Sequence, residues 1–365
     1  MPAIIDAIEY ALPARTESIE DLAARFPDWP LDQVIEKTGI RTRRIAADEE
    51  CASDLGLTAA QLLLENSDTA VDDIDFLIFC TQTPDYLAPT TACLVQQRLG
   101  LGTHTGALDI NLGCSGYIYS LGVAKALIES GQARRLLLIT ADTYSKFIDP
   151  DDRGVRALFG DAAAATLLSY HDDDDGGGDA PTIGPFIYGT DGSGGPELIV
   201  PSSGMRYPRP AAATQEYIDH RGNKRSAHKI VMNGRAVVEF TLREVPRAVW
   251  QVCDKGGITL DDVDAVVPHQ ASAIVLKGVR ERLGLPDARF ISCMEDIGNT
   301  VSCSIPIALK RAVLSGQIKP GALLLLVGFG VGLSWGATLV RLPLDFAPLA
   351  TNEARHDEHL ASEPV

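Results

Sequence analysis

Basic residues are scarce in this chain of 365 residues, which carries 32 lysines and arginines against 49 aspartates and glutamates and has a formal net charge of -17. Nucleic acids and anionic membranes bind proteins through Lys and Arg. We therefore expect neither as a partner, and an anionic substrate must meet a local basic patch. Hydrophobic residues make up 45% of the chain, which is enough for a large core in one domain or two halves.

The sequence also lacks any CxxC pair, although it contains 7 cysteines. An odd number of cysteines without paired spacing fits neither a zinc site nor a disulfide framework, and it favours a reducing, cytoplasmic location. His356 and His359 stand in a polar tail without further ligands, so we predict no metal site. The N-terminus has no basic segment followed by an apolar run, so we predict no secretory signal.

One apolar run is long enough to raise the question of a membrane-spanning helix. Residues 322–340, ALLLLVGFGVGLSWGATLV, are uncharged over 19 positions, close to the length of a spanning helix. Four closely spaced glycines within it would weaken a helix but suit two buried strands joined by a tight turn. We therefore predict a buried hairpin there.

The hydrophobic pattern predicts an alternating α/β order. The predicted strands cover residues 76–81, 106–111, 135–140 and 163–169, and the predicted helices cover residues 58–65, 90–99 and 115–130. Residues 171–181, HDDDDGGGDAP, are predicted to form a solvated linker near the middle of the chain. We predict an N-terminal half over residues 1–180, a C-terminal half over 181–345 and a flexible tail over 346–365.

The two halves resemble each other. VDDID at 71–75 is echoed by LDDVD at 260–264, RLGL at 98–101 by RLGL at 282–285, and LLLI at 136–139 by LLLL at 323–326, with offsets of 189, 184 and 187 residues. The common order and spacing indicate a duplicated α/β unit, although two similar layers without shared history remain an alternative. Either interpretation predicts two sheets with helices between and outside them.

Cys114 lies between glycines in DINLGCSG, after a predicted strand and at the start of a long helix. Amide donors and the positive end of the helix dipole stabilise a thiolate, so we expect a lowered pKa and a nucleophilic cysteine. A small buried core cysteine explains the local sequence equally well. Cys303 follows Cys114 by 189 residues and is expected at the equivalent place in the second half, without other signs of reactivity.

Two polar residues follow predicted strands or precede helices in the second half. His269 follows a strand in VVPHQAS, and Asn299 follows a glycine in IGNT. Open α/β sheets place their ligands at strand ends. Taken singly, each residue is more often structural.

Together, these motifs resemble β-ketoacyl-acyl carrier protein synthase III of the thiolase superfamily. DINLGCSG, VPHQAS and GNTVSCSIPIAL are similar to its Cys-His-Asn centre, and further similar stretches extend the resemblance over residues 38–342. The resemblance implies a thiolase-like α/β fold with a duplicated five-layered α-β-α-β-α architecture, and a homodimer.

The resemblance also implies a reaction. An acyl-CoA loads Cys114, and a malonyl thioester, carried by acyl carrier protein (ACP) or CoA, then undergoes decarboxylative condensation to a 3-oxoacyl thioester. His269 and Asn299 would donate hydrogen bonds to the enolate oxygen, and the amides of Cys114 and Val331 would bind the oxyanion. Coenzyme A is then a substrate, and no cofactor is expected.

Other positions carry over with departures from the family pattern. Arg153 matches an arginine near the nucleotide of CoA, Lys37 stands where arginine is common, and Gln33 replaces a stacking tryptophan. Ala88 replaces a bulky residue that limits the acyl tunnel from the partner subunit, which implies room for a longer or branched acyl group. Glu239 and Ile274 occupy positions that are often basic, so an acidic carrier protein would find less electrostatic help.

Two other functions remain open. One is acyl transfer from Cys114 to an alcohol or amine of a specialised metabolite; Asn299 counts against it, because such relatives often have an acidic residue there. The other is a catalytically silent binding subunit, against which the intact Cys, His and Asn set argues.

Overall fold

The computed structural model describes residues 2–171, 180–208, 217–218, 224–226 and 228–346. A first mixed sheet is built entirely from the first half of the chain. Its strands in spatial order are β1 (Ala3–Ala11), β7 (Ala162–Tyr170), β6 (Arg135–Asp142), β4 (Phe76–Cys80) and β5 (Gly106–Ile110). β4 runs parallel to both β5 and β6, whereas the pairs β6–β7 and β7–β1 are antiparallel.

A second sheet repeats three of these strand pairings. Its strands in spatial order are β13 (Ala265–Pro268), β14 (Leu323–Gly330), β15 (Ser334–Arg341) and β8 (Thr182–Thr190). One parallel pair is followed by two antiparallel pairs, as in β4–β6–β7–β1 of the first sheet. The echoed acidic segments also match, because 3-10 helices at Val71–Asp73 and Leu260–Asp262 precede β4 and β13. These equivalences support the duplication that the sequence predicts.

Helices complete five layers. The α-helices are α1 (Ile19–Arg25), α2 (Leu31–Thr38), α3 (Ala52–Asn66), α4 (Thr91–Arg98), α5 (Gly116–Glu129), α6 (Gly234–Gly256), α7 (Ala273–Leu283) and α8 (Ser304–Leu314). α3 and α4 cover the outer face of the first sheet, α5 and α8 lie between the sheets, and α6 packs with α7 outside the second sheet. The predicted α-β-α-β-α architecture is therefore confirmed.

The remaining short elements lie in the segments that connect this framework. They are the paired strands β2 (Thr16–Ser18) and β3 (Thr42–Arg44), β9 (Leu198–Ile199) and β12 (Val231–Met232), and β10 (Tyr217–Ile218) and β11 (Lys224–Arg225), with further 3-10 helices at Tyr144–Phe147, Gly192–Glu197, Asp287–Arg289 and Val301–Cys303.

The apolar run over residues 322–340 forms the predicted hairpin, since β14 and β15 pair along their full lengths. Its glycines have a packing role: a Cβ at Gly328 would lie 2.9 Å from the carbonyl oxygen of Cys114, and one at Gly336 would lie 2.9 Å from Ile118. The hairpin can therefore approach the start of α5 closely. Within the described part of the chain, no helix combines the length and apolarity needed to span a membrane.

All seven strands and helices predicted in the first half are present, with ends shifted by a few residues. Most of the predicted acidic linker, residues 172–179, and most of the predicted tail, residues 347–365, lie outside the described residues. The division of the chain at residue 180 stays a prediction, although the strands of the two sheets fall on either side of it.

Candidate active site

A cavity of about 360 Å³ opens between the two halves of the fold. Cys114, His269 and Asn299 all line it, together with Phe329 and Gly330 from the end of β14. The three polar residues are 5%, 1% and 3% exposed, respectively, so they lie at the buried end of the cavity. The structure thus brings together the three residues that the sequence motifs single out.

Cys114 lies in a tight turn two residues before α5, where the Gly116 amide donates to the Gly113 carbonyl at 2.7 Å. A Cβ at Gly330 would approach the Cys114 sulfur to 2.8 Å, so the hairpin of β14 and β15 packs directly on the cysteine. The backbone amides of Val331 and of Cys114 itself both favour a negative charge on the sulfur. Two N–H donors therefore act on the one atom of this turn that can be a strong nucleophile.

A serine pair joins this turn to the hairpin that supplies Val331. The hydroxyls of Ser115 and Ser334 are 2.7 Å apart, and Ser334 donates to the Val331 carbonyl at 2.9 Å. Because the Ser334 proton is used there, Ser115 is the donor within the pair. The position of Val331 relative to the Cys114 turn is therefore fixed by side chains from both halves.

The expected low pKa of Cys114 is wrong for the unliganded site. Burial raises the pKa of the thiol to about 12, and the charge of Asp142 adds to the rise, whereas the Val331 and Cys114 amides only partly oppose it. Loss of solvation outweighs the amide donors here, because the sulfur is enclosed by protein. The resting residue is a neutral thiol.

His269 follows β13, and its own amide donates to the Val327 carbonyl at 2.8 Å, which continues the sheet ladder by one residue. The imidazole packs edge-on against Phe329 with ring centroids 5.4 Å apart, and Nδ1 lies 2.7 Å from the Ser304 hydroxyl. Burial lowers the pKa of His269 to about 3, although the Val301 carbonyl favours the charged ring. The ring is neutral at physiological pH.

Asn299 is held by backbone contacts on both sides. Its amide N–H donates to the Leu158 carbonyl at 2.9 Å, and its side-chain Oδ1 accepts the Val301 amide at 3.0 Å. Val301 has a φ of 53°, an unfavourable conformation for a β-branched residue, and its amide is turned back on Asn299. Because Oδ1 is engaged, the NH₂ group of Asn299 is the part available as a donor, with a long 3.4 Å contact to the Ala271 carbonyl.

Asp142, at the end of β6, carries a buried carboxyl group near these residues. It accepts hydrogen bonds from the Gln82 amide at 2.8 Å and from the Ser302 hydroxyl, and thereby ties the first half to the loop that follows Asn299. Burial raises the pKa of Asp142 to about 7, which these hydrogen bonds only partly oppose. No sequence motif marks Asp142; its position at the end of an apolar strand is the available signal.

Lys37 and Arg153 line the same cavity at its open side. The Arg153 guanidinium lies 4.9 Å from the centre of the Phe26 ring, which in turn packs edge-on against Trp29. Trp29 also lines the cavity, whereas Gln33 is exposed and is not part of its wall. The cations supply the local basic patch that an anionic substrate needs, while a contact of Gln33 with a ligand stays a prediction.

A second cavity of about 600 Å³ adjoins the first, and Leu198 lines both. Gln82, Tyr144 and Val331 line it close to the cysteine turn, and the Tyr144 hydroxyl donates to Gln82 Oε1 at 3.1 Å. Ala88 itself is exposed and lines neither cavity, although its neighbour Leu87 lines the second. The predicted role of Ala88 concerns a partner subunit and stays a prediction.

A duplicated α/β fold with a buried cysteine, histidine and asparagine at the junction of its halves defines a thiolase-fold, acyl-transferring enzyme. Two family models match the chain: 3-oxoacyl-[acyl-carrier-protein (ACP)] synthase III over residues 108–192, and its C-terminal part over residues 253–342.

Individual relatives match over almost the whole chain. The β-ketoacyl-[acyl-carrier-protein] synthase III of Deinococcus deserti is 38% identical over 91% of this chain and 89% of its own length. A crystal structure of a 3-oxoacyl-(acyl-carrier-protein) synthase III is 45% identical, with a TM-score of 0.90 over 94% of this chain and all of that one. The enzyme of Thermus thermophilus is 36% identical, with a TM-score of 0.80 over 92% of this chain and 98% of that one. The chain belongs to the β-ketoacyl-acyl carrier protein synthase III family and is a condensing enzyme.

Proposed function

We propose that Cys114 is the acyl-carrying nucleophile, and that His269 and Asn299 stabilise the enolate formed when a malonyl thioester loses carbon dioxide. The observation that carries this proposal is their meeting at the buried end of one cavity, where the Val331 and Cys114 amides both favour a negative charge on the sulfur. A nucleophile, two oxyanion donors and two enolate donors are the groups that the reaction requires.

In the first step, the Cys114 sulfur attacks the carbonyl carbon of an acyl-CoA. The oxyanion accepts hydrogen bonds from the Val331 and Cys114 amides, and the bond between the carbonyl carbon and the CoA sulfur then breaks. The proton of the Cys114 thiol ends on the departing CoA thiol, so the step balances without a cofactor. Removal of one oxyanion donor typically raises such a barrier by about 3–4 kcal/mol.

In the second step, a malonyl thioester replaces CoA and its carboxylate leaves as carbon dioxide. The electron pair of the broken C–C bond forms an enolate, whose oxygen accepts hydrogen bonds from His269 and the Asn299 NH₂ group. The enolate carbon attacks the acyl carbonyl, the bond to Cys114 breaks, and the resulting thiolate takes a proton from water. The product is a 3-oxoacyl thioester.

The open side of the first cavity supports a CoA thioester as the first substrate. Lys37 and Arg153 offer positive charge to its phosphates on a chain with a net charge of -17. The second substrate could be carried by ACP or by CoA, because the two positions that are often basic offer no positive charge to an acidic carrier protein. Glu239 is 61% exposed and pairs with Arg235 at 2.8 Å, and Ile274 is exposed on the cavity wall.

We also propose a homodimer in the cytoplasm. Leu87, which lines the second cavity, is 78% exposed, and its neighbour Tyr86 is 62% exposed. Tyr207, 60% exposed, is hydrogen-bonded through its backbone to Ser203 and Gly204, which line the same cavity. Large exposed apolar residues close to one another favour a protein interface. All seven cysteines are free, which supports a reducing compartment.

The first experiment tests the nucleophile. The protein is incubated with a panel of acyl-CoA thioesters, and we expect an acyl mass increment on the peptide that contains Cys114. Cys303→Ala is the matched control, because Cys303 is also buried just before a central helix, and this variant should still be acylated. Absence of any increment on the Cys114 peptide with every thioester would refute the assignment.

The second experiment separates condensation from simple acyl transfer. Acylated enzyme is mixed with malonyl-CoA or malonyl-ACP, and release of labelled carbon dioxide together with a 3-oxoacyl product is expected. His269→Ala and Asn299→Ala should still acylate Cys114 but lose this release. Transfer of the acyl group to an alcohol or amine, without carbon dioxide, would decide for the alternative function.

A further inference from the structure

Ser304, the first residue of α8, lies behind the imidazole of His269. Its hydroxyl oxygen is 2.7 Å from His269 Nδ1, 3.3 Å from the Gln270 amide nitrogen and 3.0 Å from the Val301 carbonyl oxygen. Both Ser304 and His269 are 1% exposed, so water does not compete for these contacts. The hydroxyl has one proton and two neighbouring acceptors, Nδ1 and the Val301 carbonyl. Which of them receives this proton decides which nitrogen of the ring is protonated.

Two observations assign that proton. The Val301 carbonyl already accepts the Ser304 backbone amide, so it has a partner without the hydroxyl. The Gln270 amide donates to the Ser304 oxygen, and the contact with Nδ1 is the shortest of the three. A hydroxyl that accepts from an amide and lies closest to a neutral ring nitrogen makes its best hydrogen bond by donating to that nitrogen.

We infer that Ser304 is a positioning residue that donates to His269 Nδ1 and thereby holds the imidazole in the tautomer with its proton on Nε2. Nδ1 is the ring nitrogen that faces Ser304, and His269 lines the cavity, so a proton on Nε2 is available to a substrate oxygen. The opposite tautomer would present a lone pair to the enolate oxygen and repel it.

The inference rests on the proposed function for its consequence, but the tautomer is measurable without it. Protein labelled with ¹⁵N-histidine is examined by NMR at pH 8, and the His269 signals are assigned by their loss in His269→Gln. Burial lowers the pKa of His269 to about 3, so one protonated and one bare nitrogen are expected at this pH. The proton should couple to Nε2 in the wild type, and a proton on Nδ1 would overturn the inference.

Variants test the role of the hydroxyl. Ser304→Ala should shift the ring towards the Nδ1–H tautomer, because the Val301 carbonyl becomes its best partner, and should slow malonyl decarboxylation about tenfold, the effect of losing one buried hydrogen bond. Acylation of Cys114 should change little. Ser304→Thr, which restores a hydroxyl, should recover both the tautomer and the rate.

Ser315→Ala is the matched control at the other end of α8, since the Ser315 hydroxyl also lies close to the carbonyl oxygen three residues earlier, at 3.1 Å, but has no hydrogen bond to a histidine. It should leave the tautomer and both steps unchanged. If Ser304→Ala slows acylation and decarboxylation equally with the tautomer unaltered, the role is structural and the inference fails. If the wild type shows Nε2–H but releases no carbon dioxide, the inference stands and the proposed function fails.

Discussion

Burial controls the charge states of the residues at the end of the cavity. The pKa of the Cys114 thiol is raised to about 12, that of His269 is lowered to about 3, and that of Asp142 is raised to about 7. In each case loss of solvation favours the neutral form. A neutral cysteine and a neutral histidine suit a substrate that brings its own negative charge, because the enolate and oxyanion then meet N–H donors without a competing anion on the sulfur.

The rate of Cys114 alkylation should reveal the raised pKa. Iodoacetamide reacts with the thiolate, so the rate on the Cys114 peptide should keep rising with pH through pH 9, about tenfold per unit, without reaching a plateau. Mass spectrometry of this peptide after timed exposure measures it. The exposed Cys93 serves as an internal reference in the same samples. A plateau near neutral pH would mean that the amide donors outweigh burial after all.

Asp142→Asn should alter the pH dependence of stability. The folded-state pKa of Asp142, about 7, lies above the ordinary value of 3.8, so its favourable contribution is fully present below pH 3.8 and is lost as the pH rises through about 7. From pH 5 to pH 8 the wild type should therefore lose on the order of 2 kcal/mol of unfolding free energy relative to the variant. Urea denaturation of both proteins at both pH values measures this. Parallel profiles would show that Asp142 titrates normally.

The same variant provides a second readout. The Asp142 charge contributes to the raised pKa of Cys114, so its removal should increase the alkylation rate of Cys114 at pH 8. Both effects depend on one buried charge, and they should appear together.

Among the secondary-structure elements, the hairpin of β14 and β15 connects the fold to the chemistry. Its strands could be predicted from the sequence because glycines at short spacing exclude a stable helix, but the approach to Cys114 could not, because the contact joins residues over 200 positions apart. β1 is not among the predicted strands, since AIIDAIEYA fits the periodicity of a helix as well as that of a strand. Its antiparallel pairing with β7 makes this segment a strand.

Gly328→Ala should damage this element. The new Cβ would lie 2.9 Å from the Cys114 carbonyl oxygen and 3.0 Å from the Ser115 Cα, and neither backbone atom can rotate away. We expect a loss of about 1–3 kcal/mol in unfolding free energy and slower acylation of Cys114, because the turn must shift. Gly192→Ala is the control, since a Cβ there meets nothing within 4 Å. Equal stability of the two variants would contradict the close packing.

At the scale of the whole molecule, the site exists only because two similar halves face each other. Cys114 comes from the first half, whereas His269, Asn299 and the Val331 amide come from the second. The echoed segments predicted two sheets, and the resemblance predicted the three polar residues. Neither could predict Asp142 or Ser304, whose roles depend on which side chains meet after the halves pack together.

The proposed homodimer makes Ala88 a residue that acts in the partner's site, and a mixed dimer can test this. One chain carries Ala88→Phe and Cys114→Ala under a first affinity tag, the other is wild type under a second tag, and the heterodimer is isolated through both tags. Its single working cysteine faces the partner's phenylalanine, so acylation by long or branched acyl-CoA should fall relative to acetyl-CoA.

The reciprocal heterodimer is the control. It carries Cys114→Ala on one chain and Ala88→Phe on the other, so the working cysteine faces the partner's Ala88 and the acyl range should remain that of the wild type. Equal selectivity in the two heterodimers would place residue 88 outside the partner's acyl pocket, and isolation of the 39.0 kDa monomer alone would exclude the dimer.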